Sequence, residues 1–301
     1  MGVAFSSGLF FPAMVHFQRI GIVGCGQIGC GIARMAAVAG YEVHICETNQ
    51  GTLDRSFTES LQFFKRQAIR GVLNEEDARA AASRIRGSLD VQDLEGCGMI
   101  IEAIPENFEK KTRLLKTLDL LYPPPVVLAT HSIALSITQL AATVQRPERI
   151  LGLHFLPPVH HMKLAEVVKT ENVLPSVLES ACDFIRSLQK EPVLVADFPG
   201  FIVTRLIIAH VLNAIRLFEA GVATKEDIDK AMELGSGHPI GPFALMDVLG
   251  LDTTYRLANV FFQEYHDPQY APPPLLTQLV EQGHWGQKTG QGFYTYRQQQ
   301  Q

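Results

Sequence analysis

Two groups of residues in the chain have types and spacing that can do chemistry. One is the run "GCGQIG", with Gly24, Gly26 and Gly29 at dinucleotide-loop spacing. In such a loop the first glycine permits a tight turn, the second lets the backbone approach a pyrophosphate, and the third lets the next helix pack closely on its strand. That helix presents unpaired N–H groups and a positive dipole end to the phosphates. Glu47 lies 23 positions after Gly24. A carboxylate there accepts hydrogen bonds from ribose hydroxyls and repels a 2′-phosphate, so NAD is favoured over NADP. The other group is His154 with Glu166. Between "RILGLHF" (149–155) and "KLAEVV" (163–168), the segment "LPPVHHM" has the prolines and polar residues of a chain reversal. If the chain folds back about His160, His154 and Glu166 are each six positions from the centre and face each other with Cβ atoms about 5 Å apart. A carboxylate on an imidazole fixes its tautomer and stabilises the imidazolium, which is what a general base requires. The same pair also occurs as plain structure; its place beside a nicotinamide site is what favours catalysis.

Holding these groups requires strands and helices in alternation. Residues 17–24 form an apolar run, "CGIARMAAVAG" a small-residue helix ending at Gly40, and 41–47 an alternating second strand. A polar helical stretch covers 51–86, and apolar strands follow at 98–104, 125–130 and 149–155. This order predicts an α/β fold with a parallel, doubly wound Rossmann sheet. Ligands on such sheets lie beyond the carboxyl ends of the strands, which draws attention to Glu106 and Lys111, to Thr130–Ala134 and to His154. After a strand at 192–197 the composition changes at "FPGF". From Phe201 to Phe218 nearly every side is apolar, predicting a buried helix. "TKED" at 224–227 predicts a capping box for a helix ending before Gly235. The predicted organisation is an NAD-binding Rossmann domain over 14–196 and a smaller all-α domain over 197–297.

With 301 residues, 47% hydrophobic and 19% charged, the chain can bury a sizeable core in two domains. A net charge of −5 without basic runs leaves no electrostatic footprint for nucleic acid or an anionic membrane, which points to small-molecule partners. The five cysteines, Cys25, Cys30, Cys46, Cys97 and Cys182, are odd in number and scattered, as suits packing in a reducing compartment. His131, His154, His160 and His161 raise the question of a metal. No carboxylate sits at helical spacing to complete a site, so none is expected. No apolar run approaches the roughly 18 residues of a membrane span. The opening "MGVAFS" fits a minimal myristoylation pattern, and the apolar residues after it weakly resemble a targeting segment. No basic residue precedes Arg19, so transit and signal composition is missing. Met14 is the plainer start, and a cytoplasmic protein is expected.

Over 17–297 the chain resembles the L-3-hydroxyacyl-CoA dehydrogenase family. The resemblance rests on "GIVGCGQIGCGIA", "IEAIPENFEKK", "LGLHF" with "MKLAEVV", "DFPGFIVTR", "GHPIGPFALMDVLGLD" and "KTGQGFYTY" in that order. It implies an NAD-binding domain, a helical domain that pairs subunits into a homodimer, and a substrate channel between the domains. The implied reaction oxidises the 3-hydroxyl of an acyl-CoA, with short chains such as 3-hydroxybutyryl-CoA as the default, and passes hydride to NAD. His154 matches the family's catalytic base and Glu166 its orienting carboxylate. Glu106, Lys111 and Lys288 match cofactor-contacting positions, and Gln27, Ile28 and Ala103 complete the expected cofactor set. Ser60 matches a CoA-contacting position and Lys65 or Arg66 a basic one nearby, where a cation suits the phosphates of CoA.

Three positions depart from the family pattern. Where the family has Ser-Asn-Thr-Ser-Ser, residues 130–134 read "THSIA", which puts Ile133 in place of a substrate-contacting serine. Where it has Phe-Asn-Pro, this chain has Leu156-Pro157-Pro158, and Thr204 replaces an asparagine that helps to hold substrate. Losing one oriented donor near developing charge costs on the order of 3 kcal/mol, a hundredfold or more in rate. Three readings follow: Ser132, His131 and Thr204 supply replacement hydrogen bonds; the protein is a cofactor- or acyl-CoA-binding paralogue with little turnover; or it oxidises a free hydroxy acid.

Overall fold

The computed structural model describes residues 17–296; the Met14 start and the domain ends at 14 and 297 lie outside the described residues. These divide into two compact units between Asp197 and Phe198.

In the first unit β1 (Arg19–Val23), α1 (Gln27–Val38) and β2 (Glu42–Cys46) form the initial βαβ unit. Next come α2 (Gln50–Ile69), α3 (Glu75–Ser83), β3 (Ile85–Ser88), β4 (Met99–Glu102) and α4 (Phe108–Leu121). The unit closes with β5 (Val127–Thr130), α5 (Ile137–Ala141), β6 (Ile150–Phe155), β7 (Leu164–Lys169), α6 (Pro175–Ser187) and β8 (Glu191–Ala196). All eight strands form one sheet in the order β3-β2-β1-β4-β5-β6-β7-β8. The first six run parallel; β7 is antiparallel to β6, and β8 is parallel to β7. Strand order reverses between β1 and β4, and the crevice at such a reversal is where doubly wound sheets take ligands.

Side-chain parity fixes which residues reach the core. Ile20, Ile22, Met99, Ile101, Leu151, Leu153 and Phe155 join the core under α1, α2, α3 and α6. Ile100, Leu128 and Ile150 join a second core on the other side of the sheet. Successive strand residues alternate faces, so His154 shares the Ile150 side of β6. The polar stretch over 51–86 differs from expectation. Its helices α2 and α3 are separated by a turn at Gly71, which has φ +70°, and its last residues pass into β3. Only Ile85 of that strand is buried, too short an alternation to mark a strand in sequence.

The second unit is helical: α7 (Val203–Glu219), α8 (Lys225–Ser236), α9 (Pro242–Leu249), α10 (Leu251–Tyr265) and α11 (Pro274–Glu281). Thr224 caps α8, taking the Asp227 amide at 3.1 Å, and Gly237 ends that helix in a left-handed conformation. Asp229 accepts the amides of Phe243 and Ala244 at the start of α9. Asp247 accepts those of Phe293 and Tyr294, so "GPFALMD" and "GFYTY" are bound to each other. The helix α7 is not buried all round. Val211, Leu212 and Ile215 are enclosed, while Leu206 and Leu217 are 65% and 46% exposed.

Candidate active site

The glycine loop follows β1 at the sheet's carboxyl edge. Gly24 has φ +99° and packs so tightly on Ala103, at the end of β4, that an added Cβ would lie 2.9 Å from its carbonyl. At Gly29 a Cβ would fall 1.9 Å from the Gly24 carbonyl oxygen, so α1 approaches β1 as closely as the third glycine of such a loop permits. At Gly26 a Cβ would meet nothing within 4 Å, which leaves an open cradle beside the exposed Gln27 and half-buried Ile28. Side chains of Asn49, Asn74, Asn107 and Ser136 cap α2, α3, α4 and α5, but none caps α1. Glu47 accepts the Cys25 amide at 3.2 Å and the Thr48 amide at 2.8 Å. Burial opposes its charge, and these bonds outweigh that effect, so its carboxyl stays below the usual range. The open second glycine, the uncapped helix start and the fixed anion after β2 fit a dinucleotide with a free ribose 2′-hydroxyl.

The hairpin places His154 directly opposite Glu166 in the β6–β7 register, and Nδ1 lies 2.6 Å from Glu166 Oε2. Both side chains are buried. The carboxylate accepts a hydrogen bond from Nδ1–H, which leaves the ring lone pair on Nε2. The hairpin tip is fixed by Lys190, whose ammonium donates to the Val159 and Met162 carbonyls.

Around β4 and β5 lies a second network. Glu106 Oε1 accepts the Ser132 hydroxyl at 2.6 Å and the amides of Ile133 and Ala134 at 3.0 Å. Burial works against its charge, but these donors hold its carboxyl below the usual range. The Ile133 amide thus shapes the loop although its side chain brings no hydroxyl. Lys111, matched by resemblance to a cofactor contact, is instead fully enclosed. Its ammonium donates to Glu102 at 2.7 Å and to the carbonyls of Ile104 and His131 at 3.1 and 2.7 Å. Its donors are taken up inside the chain, where they tie the backbone at Ile104 and His131 to Glu102. Nothing in the sequence marked Glu102 as its partner, since a glutamate ending a strand reads as solvent-facing.

Of the residues matched to CoA contacts, Ser60 is buried and accepts from Arg34 Nε at 3.0 Å, while Lys65 and Arg66 are exposed on α2. Arg34 was missed; it shows only as one cation in an otherwise small, apolar helix. Thr204 lies in the first turn of α7, and Lys288 pairs with Asp252 at 2.5 Å, both in the second unit. The four histidines fall into two pairs, His131 with His154 and His160 with His161. Among the described residues no group of three His, Cys, Asp or Glu side chains is arranged to hold a metal ion.

A dinucleotide loop and a buried imidazole–carboxylate pair on the same edge of a doubly wound sheet are the parts of a nicotinamide-dependent oxidoreductase. Residues 19–198 match the family described as 3-hydroxyacyl-CoA dehydrogenase, NAD binding domain, and residues 200–296 match its C-terminal domain. The chain belongs to the 3-hydroxyacyl-CoA dehydrogenase family. It is 38% identical over 281 residues to a 3-hydroxybutyryl-CoA dehydrogenase of Mycobacterium tuberculosis, covering 93% of this chain and 98% of that one. It is 39% identical over 287 residues to the mitochondrial hydroxyacyl-coenzyme A dehydrogenase of Sus scrofa, covering 93% and 91%. The crystal structure of (S)-3-hydroxybutyryl-CoA dehydrogenase from Ralstonia eutropha superposes with a TM-score of 0.90 at 34% identity, covering 94% of this chain and all of that one.

Proposed function

We propose that the protein catalyses the NAD-dependent oxidation of short-chain L-3-hydroxyacyl-CoA thioesters, 3-hydroxybutyryl-CoA first among them, to 3-oxoacyl-CoA. The observation that carries this reading is the 2.6 Å bond between His154 and Glu166, placed at the end of β6 on the sheet edge that bears the glycine loop. His154 Nε2 takes the proton of the substrate hydroxyl as the C3 hydride leaves, and Glu166 stabilises the imidazolium that forms. NAD, when bound, is the hydride acceptor. Gly24, Gly26, Gly29, Gln27, Ile28 and Ala103 line its loop, and Glu47 holds the ribose. Glu106 fixes the 132–135 loop next to the base, where Ser132 is a proposed substrate contact; Thr204, in the helical unit, is a second proposed substrate contact. Lys288 is a proposed cofactor contact, while Ser60 with Arg34, Lys65 and Arg66 on α1 and α2 is the proposed CoA end. The test is NADH consumption with acetoacetyl-CoA by the purified protein. Turnover that disappears in His154→Ala supports the assignment, and no turnover across chain lengths rejects it.

Ile133 favours a second reading. With an apolar side chain where the family has a serine, the protein binds NADH and acyl-CoA but turns over slowly. Under this reading Ile133→Ser with Thr204→Asn raises kcat; an unchanged rate removes it.

The exposed Leu206 and Leu217 lie eleven residues apart, on one face of α7, and support a homodimer formed through the helical unit. The five free, buried cysteines support work in the cytoplasm.

A further inference from the structure

The tip of the β6–β7 hairpin carries two imidazoles that the proposed reaction does not use. The rings of His160 and His161 are 4.2 Å apart between centroids, and both residues are exposed. We propose that His160 and His161, with Arg34 on α1 and Arg70 at the end of α2, form a proton-linked clamp for a phosphate of CoA, which tightens acyl-CoA binding as the solution turns mildly acid. This rests on the reading of α1 and α2 as the CoA end.

Three elements hold these groups together. Val159 seats the hairpin tip against α1, where a Cβ on Gly31 would lie 2.7 Å from its Cγ2. Lys190 holds the carbonyls of Val159 and Met162, and the His161 amide closes the turn on the Pro158 carbonyl at 2.9 Å. Phe63 of α2 joins the tip to α1. Its ring meets His160 edge to face with centroids 5.1 Å apart, and the Arg34 guanidinium lies 5.5 Å from its centroid. Arg34 Nε donates to Ser60 Oγ at 3.0 Å, which holds the guanidinium across α1 and α2. Arg66 and Arg70 come three and seven positions after Phe63, on the same side of α2.

The charges at this tip are unbalanced. The groups that face the His160 ring are His161 beside it, Arg34 from α1, Lys190 ahead of β8 and Arg70 from α2, and each opposes its protonation. Burial first, then these groups, keep the His160 imidazole below its usual value. Glu59 takes one Arg34 nitrogen at 3.4 Å, but its side chain is 56% exposed, which makes it a weak counter-charge. A surface that gathers one sign of charge attracts the other. Phosphate is the fitting anion, since a guanidinium fork and imidazolium N–H groups donate charge-assisted hydrogen bonds to its oxygens. Its negative charge, once bound, reverses the field on the imidazoles, which then take up a proton. Linkage fixes the sign. A group neutral in the free protein and protonated in the complex strengthens binding as pH falls between its two pKa values, by up to about tenfold per pH unit. A phosphomonoester keeps its second charge above about pH 6, so the gain appears in that range.

The test is calorimetry of CoA with the full-length protein at about pH 8 and about pH 6.5. In the wild type the affinity rises roughly three- to tenfold at the lower pH, and titrations in buffers of different ionisation enthalpy show uptake of up to about one proton. In His160→Gln with His161→Gln the rise stays below about twofold and the uptake falls. The ligand's own ionisation enters both proteins alike, so the difference between them belongs to the imidazoles. Loss of the wild-type rise with 3′-dephospho-CoA supports a clamp on the terminal phosphate, and its retention supports a clamp on the diphosphate. An equal rise in wild type and variant, or none in the wild type, overturns the clamp and leaves the acyl-CoA reading standing. No CoA binding at either pH overturns that reading and the clamp with it. If the double variant does not fold, His160→Gln alone carries the comparison.

Discussion

Glu166 on β7 faces His154 across the hairpin and is bonded to it. Replacing it by glutamine keeps the shape and removes the support for the imidazolium, so kcat falls by roughly two to four orders of magnitude while NADH binding, measured by calorimetry, is retained. In the proposed reaction Glu47 sets cofactor choice. Glu47→Ser removes the charge that repels a 2′-phosphate, and the ratio of kcat/KM with NADPH to that with NADH rises. Two buried groups tie stability to pH with the same sign. An unfolded chain protonates His131 near pH 6.5, whereas the folded chain keeps it neutral down to about 3. Stability is therefore full above about pH 6.5 and falls on acidification by up to ~1.4 kcal/mol per pH unit from this group. Glu106, held below the usual range, adds stability above the ordinary carboxylate pKa that is lost in more acid solution. A urea-unfolding series against pH shows a shallower acid decline in His131→Phe. The His154–Glu166 pair was legible because a hairpin centred on one residue fixes its own register. The burial of Lys111 and Ser60 was not, because a helix pattern does not say which polar residue meets a buried partner from another strand or helix.

At the scale of elements, the glycine loop separates two effects that a motif merges. Gly29→Ala puts a methyl group against the Gly24 carbonyl and lowers both the melting temperature and NADH affinity. Gly26→Ala meets open space, so folding is unaffected while NADH binding weakens. The strand–loop–helix context was plain in sequence, since small residues on α1 and apolar runs in β1 and β4 follow from close packing. The strand β3 was hidden because one buried residue makes no pattern. The ion pair between Lys111 and Glu102 is fully enclosed, and its meaning is structural before it is catalytic. Lys111→Met strands a buried carboxylate and costs about 3–5 kcal/mol in urea unfolding. Lys111→Met with Glu102→Gln costs less than the single change, because no unpaired charge remains.

At the scale of the molecule, two units of different class stand in one chain. The change at "FPGF" was visible as a shift from alternating strands to continuous apolar helix. The exposed half of α7 was not, because a helix that covers a partner and one buried in its own core have the same composition. Sedimentation of the wild-type protein at twice the chain mass, and of Leu206→Glu with Leu217→Glu at the chain mass, checks the dimer assigned to that face. The five cysteines are free and buried, and burial pushes the Cys25 and Cys97 thiols up to about 12 and Cys46 to about 11. A thiol so protonated and shielded does not alkylate in the folded chain. Labelling by a maleimide therefore proceeds only through opened molecules, and its rate at each sulfur is a local clock of how often that part of the sheet comes apart.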